Sequence, residues 1–96
     1  MNLVVIGTGY VGLVTGVGFA SLGNTVNFID LDEKKVSKLS NKQVPFYEPG
    51  LEDHFQNSET FSRMSFTSSY EEIDWESTDV AFICVQTPNN LETNSF

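Results

Sequence analysis

Residues 1–30 read MNLVVIGTGYVGLVTGVGFASLGNTVNFID, and the fold follows from this stretch. Leu3-Val4-Val5-Ile6 is a short, continuous apolar run rich in β-branched residues. Such a run suits a strand buried on both faces of a parallel sheet. It meets the glycine cluster Gly7-Thr8-Gly9-Tyr10-Val11-Gly12. Small and apolar residues then continue to about Leu22, as a helix starting near Tyr10 would. A turn at Gly23-Asn24 leads into a second apolar run, Val26 to Ile29, which ends on Asp30. The order is strand, glycine-rich turn, helix, strand, acid.

Each part of that order has a physical task in dinucleotide binding. Gly7 permits the tight turn out of the first strand. At Gly9 the missing side chain lets the backbone approach a pyrophosphate, and Gly12 lets the helix pack closely on the sheet. The helix then aims its free N–H groups and positive dipole end at the phosphates. Asp30 lies 18 residues after Gly12, where a carboxylate accepts hydrogen bonds from ribose hydroxyls. It would repel a 2′-phosphate, and no arginine follows it, so the expected cofactor is NAD rather than NADP. A turn whose glycines served packing alone would not explain an acid closing an otherwise uncharged stretch.

The absence of charge from residues 1–29 also raises a signal peptide or a membrane span. Both are rejected. No positively charged segment leads the run, six glycines interrupt it, and Thr8, Thr15, Ser21, Asn24, Thr25 and Asn27 are scattered through it.

The 96 residues suffice for one small domain. The net charge of −8 argues against nucleic acid and against an anionic membrane as partners. Four of the five basic residues, Lys34, Lys35, Lys38 and Lys42, stand together between residues 30 and 42. They form either a patch for an anionic ligand or a solvated helix face. Cys84 is the only cysteine, so no internal disulfide and no cysteine-built zinc site can form. A reducing, cytoplasmic setting is expected.

Beyond Asp30, a short helix is predicted over Asp32 to Ser40, with Asp32 as N-cap and Val36 and Leu39 as its apolar face. Lys35 stands one turn in, either neutralising a bound anion or simply exposed. Pro49 suits the first turn of a following helix, in which Leu51 and Phe55 make one buried stripe up to about Asn57. His54 falls on the polar side of that stripe and reads as a surface residue rather than a catalyst. Ser58 to Ser62 reads as a polar loop and Arg63 to Thr67 as a half-buried strand. Ser69-Tyr70-Glu71-Glu72 has the form of a capping box opening a short helix, with Trp75 packing near its end. Val80 to Val85 is the second fully apolar strand, and Cys84 inside it is expected to be buried and inert. In an open α/β sheet, ligands bind at the carboxyl ends of the strands, beside the switch in strand order. Gln86, Thr87 and Pro88 are therefore expected to face Gly7 to Gly12 across the cofactor crevice. The predicted fold is a Rossmann-like, doubly wound parallel α/β sheet, truncated to about four strands in the order 3-2-1-4.

With these residues in view, the whole chain resembles the N-terminal part of the UDP-glucose/GDP-mannose dehydrogenase family. Four features carry the likeness: VVIGTGYVGLVTG over residues 4–16, Asp30 followed by Lys35, PFYEPGLE over residues 45–52, and FICVQTP over residues 82–88. GTGYVGL and YEPGL favour the UDP-glucose branch over those acting on GDP-mannose or UDP-N-acetylmannosamine. The resemblance implies NAD-dependent oxidation of a nucleotide sugar alcohol to a uronate in two hydride transfers. It implies that Gly7, Thr8, Gly9, Tyr10, Val11 and Gly12 hold the pyrophosphate, with Val11 donating its backbone N–H. Asp30 takes the adenosine ribose, and Lys35 and Thr87 complete the NAD contacts. YEPGL is given an architectural role only.

The chain departs from the family in its last segment, Asn89 to Phe96, which lacks the usual glycine. The family is also several times longer. Its catalytic cysteine, general base, lysine and asparagine partners, most sugar contacts and dimerisation helix all fall beyond residue 96. Residues 1–96 thus represent part of the NAD-binding domain, with no catalytic and no metal-binding residue assigned. The expectation is a chain inactive by itself, from an enzyme that is a homodimer or larger. A non-enzymatic NAD(H)-sensing module would share the glycine turn and the acid, but has no reason to carry YEPGL and QTP.

Overall fold

The computed structural model describes residues 1–85 of the chain. Four parallel strands, β1 (Asn2–Ile6), β2 (Thr25–Ile29), β3 (Met64–Thr67) and β4 (Val80–Ile83), form one sheet in the order β3-β2-β1-β4. This is the predicted order. Four helices, α1 (Tyr10–Ser21), α2 (Glu33–Ser40), α3 (Leu51–Gln56) and α4 (Ser58–Ser62), lie in the first three-quarters of the described chain. Two 3₁₀ turns, Tyr70–Glu72 and Trp75–Ser77, connect β3 to β4.

Strand alternation divides the side chains between two faces. On the front, Leu3, Val5, Val26, Phe28 and Met64 pack with Leu13, Val17 and Ala20 of α1, Leu39 of α2, and Leu51 and Phe55 of α3. Helix α1 approaches the sheet closely because its buried stripe includes Gly12 and Gly16. A Cβ on Gly16 would lie 2.3 Å from the Phe28 ring. The Arg63 Nε–H donates to the Ala20 carbonyl at 2.8 Å, placing a cation at the negative end of the α1 dipole. On the back, Val4 and Ile29 are covered by Ile73, with Ile6 beside them.

Several local expectations change in the folded chain. The helix after Pro49 starts only at Leu51, because Gly50 takes a left-handed conformation (φ 87°) as its N-cap. Residues 58–62 are not a loop but the one-turn helix α4. The Asn57 side chain accepts from the Thr60 N–H at 2.9 Å, and Thr60 is buried. Asn57 before Ser-Glu-Thr is a readable N-cap signal. Ser69 does cap the turn that follows, accepting from the Glu71 N–H. Glu72 does not reach back to close a capping box; its carboxylate accepts from the Thr67 hydroxyl at 2.6 Å instead. Finally, β4 is not buried on both faces: Ile83 is 75% exposed and Val85 beyond it 58%. Cys84 follows that strand, is partly exposed, and is not the buried strand residue expected.

Candidate functional site: the glycine turn and Asp30

The site is assembled at the carboxyl ends of β1 and β2. Gly7 leaves β1 with φ +103°, and its N–H donates to the Ile29 carbonyl at 2.8 Å. That bond ties the turn to the end of β2. A Cβ at Gly7 would stand 3.0 Å from the Cys84 backbone, so only glycine passes between β1 and the end of β4. Gly12 sits over the same turn, where a Cβ would lie 2.1 Å from the Gly7 carbonyl oxygen and 3.1 Å from the Cys84 Cβ. Its absent side chain thus lets the first turn of α1 rest on the glycine turn itself. Gly9 differs: it is extended, and a Cβ there would meet nothing within 4 Å. The space over Gly9 faces outward, as an approaching ligand requires.

The first bond of α1 runs from the Leu13 N–H to the Gly9 carbonyl at 2.9 Å. The N–H groups of Gly9, Tyr10, Val11 and Gly12 precede it and have no acceptor within the helix. No acidic residue occupies the first turn, and among the described residues no side chain caps it. This end of α1 therefore presents donors and a positive dipole toward whatever sits over Gly9.

Asp30, just past β2, lies beside this turn with its side chain 15% exposed. Its Oδ2 accepts from the Thr8 N–H at 3.0 Å and the Thr8 hydroxyl at 2.5 Å. Its Oδ1 accepts from the Asp32 N–H at 2.9 Å. The Lys35 Nζ stands 3.7 Å from Oδ2. Lys35 is held there because Asp32 caps α2, accepting from the N–H groups of Lys34 and Lys35. Burial raises the Asp30 carboxyl. The Thr8 hydroxyl, the Asp32 and Thr8 amides and the Lys35 charge outweigh it, and hold the group below its ordinary value of 3.8. The carboxylate is thus an ionised acceptor.

Two cavities meet at Asp30. One is lined by Gly7, Thr8, Gly9, Lys35, Cys84 and Val85 and leads to the helix start. The other is mainly apolar, lined by Ile6, Gly7, Ile29, Leu31, Tyr70 and Val85. The folded chain therefore brings together Gly7, Thr8, Gly9, Tyr10, Val11, Gly12, Asp30 and Lys35. Thr87 lies outside the described residues, although Cys84 and Val85 just before it do border the glycine turn. Leu31 and Tyr70 escaped the reading of the sequence. An apolar residue directly after the acid was a usable signal for the first. Tyr70 comes to the cavity from the connection that follows β3, and nothing local marks it.

Helix α1 is also tied to the YEPGL segment. The Tyr10 hydroxyl donates to Glu48 Oε1 at 2.8 Å, and its ring lies 5.3 Å from that of Phe46. Its bond to Glu48, followed by the charge of that carboxylate and then burial, raises the Tyr10 hydroxyl above its ordinary value. Among the described residues, no group of three His, Cys, Asp or Glu side chains is placed to hold a metal. No helix among them is long and apolar enough to cross a membrane.

Comparison with known proteins places this geometry. The family model of the NAD-binding domain of the UDP-glucose/GDP-mannose dehydrogenase family matches residues 1–95. The chain is 43% identical over 92 residues to UDP-glucose 6-dehydrogenase YwqF of Bacillus subtilis, covering 96% of this chain and 21% of that protein. Among solved structures, a ternary complex of GDP-mannose dehydrogenase from Pseudomonas aeruginosa superposes with a TM-score of 0.84 at 32% identity, covering 96% of this chain and 21% of that one. A UDP-glucose dehydrogenase from Pyrobaculum islandicum superposes with a TM-score of 0.76 at 42% identity, covering 88% and 19%. The chain thus spans about a fifth of the length of these relatives. The glycine turn, the ionised acid at the end of β2 and the match over nearly every residue lead to one assignment: the chain belongs to the UDP-glucose/GDP-mannose dehydrogenase family, and its cofactor is NAD.

Proposed function

We propose that this chain holds the adenosine diphosphate half of NAD in an enzyme that oxidises UDP-glucose to UDP-glucuronate. In that reading, the pyrophosphate lies over Gly9 against the N–H groups of Gly9, Tyr10, Val11 and Gly12. The adenosine ribose hydroxyls donate to Asp30, and Lys35 offsets the negative charge that the carboxylate and the phosphates bring together. The adenine fills the apolar cavity between Leu31 and Tyr70. Thr87 adds a cofactor contact from the segment after β4. NAD held there would supply the hydride acceptor for each of the two oxidation steps, the second carboxylate oxygen coming from water. The residues described here bind and orient; the carbon chemistry belongs to parts of the enzyme beyond them, and so does pairing into a dimer. We place the protein in the cytoplasm, in keeping with its single cysteine.

The observation that carries this reading is the position of Asp30, ionised and within hydrogen-bond reach of the glycine turn. The UDP-glucose assignment is supported by identity, 43% and 42% to the two UDP-glucose enzymes against 32% to the GDP-mannose enzyme. Calorimetric titration with NAD and, separately, NADP tests the site. Asp30→Ala should weaken NAD about ten- to a hundredfold, the range expected for hydrogen bonds to a charged acceptor. NADP should bind the wild type far more weakly than NAD. Equal affinity for NAD in wild type and variant would remove Asp30 from the site.

A further inference from the structure

Thr8 stands between the first two glycines, where a side chain would be expected to meet a phosphate. The folded chain turns it the other way. Thr8 is 1% exposed, and its hydroxyl and its N–H both donate to Oδ2 of Asp30. A carboxylate offers about four acceptor positions, two on each oxygen. Thr8 fills both on Oδ2. Among the described residues, the one donor to Oδ1 is the Asp32 N–H, which leaves one position on that oxygen.

We propose that Thr8 is a positioning residue rather than a phosphate ligand: its two donors pin Oδ2 of Asp30 and present Oδ1 to the adenosine ribose. The proposal rests on the reading of Asp30 as the ribose acceptor. Its physical content is twofold. The carboxylate cannot rotate away when a ligand arrives, so its orientation is set before binding rather than during it. The Thr8 N–H is also spent on Asp30, so the donors left for the pyrophosphate begin at Gly9. The same pinning acts against NADP. A 2′-phosphate would face a carboxylate held in place and held charged.

Among the described residues, the charged and titratable groups around Asp30 are few. Lys35 faces it from α2, and Asp32 shares its loop with a side chain committed to the α2 cap. Tyr70 and Cys84 border the adjoining cavities. A change in Asp30 titration on altering Thr8 alone is therefore attributable to the lost hydroxyl.

A double-mutant cycle on NAD affinity tests the proposal, with wild type, Thr8→Val, Asp30→Ala and the double variant measured by calorimetry. Thr8→Val should weaken NAD about tenfold, as loss of one hydrogen bond to a charged group does. In the Asp30→Ala background the same change should weaken it no further, because Thr8 acts through that carboxylate. Thr8→Ser keeps the donor and should bind like wild type. Carbon-detected NMR titration of the Asp30 carboxyl, without nucleotide, supplies a readout that a purely structural role would not move. Thr8→Val should raise its pKa and Thr8→Ser leave it unchanged. If Thr8→Val does not fold, Thr8→Ala takes its place in every arm. Equal losses in both backgrounds would mean that Thr8 touches the nucleotide itself and would overturn the proposal, as would an unshifted Asp30 titration. Wild-type affinity in Asp30→Ala alone is a separate result, overturning the ribose reading beneath it.

Discussion

The two faces of the sheet share the same four strands and are finished very differently. On the front, Phe28, Val5, Val26 and Leu13 are excluded from solvent beneath four helices. On the back, Val4 and Ile29 lie under Ile73, while Ala81, Ile83 and Val85 are exposed. The connections explain the contrast. From β1 to β2 to β3 the chain steps in one direction, and right-handed crossovers place α1 to α4 on one face. The return from β3 to β4 runs the opposite way, so the same handedness sends it across the other face. That return contains only two 3₁₀ turns. Leu3–Ile6 and Val80–Val85 are comparably apolar, yet only the first is enclosed. Burial of a strand is set by the layers laid over it rather than by its own hydropathy.

The sharpest way to break this contrast is at Phe28. Its ring touches Gly16 of α1 and stacks on Phe66 at 4.8 Å. Phe28→Ala should cost about 3–5 kcal/mol in urea unfolding, as large-to-small changes in closed cores do. A cost under about 1 kcal/mol would mean that the front face can collapse around the gap.

Acid probes the rim where the two faces meet. Asp30 sits below its ordinary carboxyl value in the folded chain, so its contribution is complete above the unfolded pKa, about 4. That contribution is lost as pH falls through the lower, folded value. Wild type should therefore lose stability more steeply than Asp30→Asn below about pH 4. Parallel curves in the two proteins would show that the Thr8 and Asp32 contacts do not favour the charged form.

The smallest effect belongs to the back face. Ile83→Thr alters a side chain already in solvent and should change stability by no more than about 0.5 kcal/mol. A loss above about 1 kcal/mol would show that the face is covered in solution, and that the contrast between the faces ends there.

Much of this was legible in the sequence because it is local. Gly7, Gly9, Gly12 and Asp30 fall at spacings that one strand, one turn and one helix impose. Asp32 as a cap and Leu51 with Phe55 as a stripe needed only a few neighbouring residues. What escaped depended on contacts across long separations. Tyr70 borders the cavity beside Asp30 through a sheet pairing that no short window contains. Glu48 meets Tyr10 from 38 residues away, so the tie between the YEPGL segment and the start of α1 was not legible. The Asn57 cap is the exception, a local signal present but overlooked in a polar run.

The sequence by itself determined the βαβ unit, the parallel order of the strands and the expectation of NAD as the cofactor. Those depend on periodicity, on glycine's missing Cβ and on the sign of one charge. Only the tertiary structure decided which way Thr8 turns, how many acceptor positions Asp30 keeps, and which apolar strand stays exposed. Each of those depends on what the chain places opposite a group, and that is set by packing between elements rather than by the residues on either side of it.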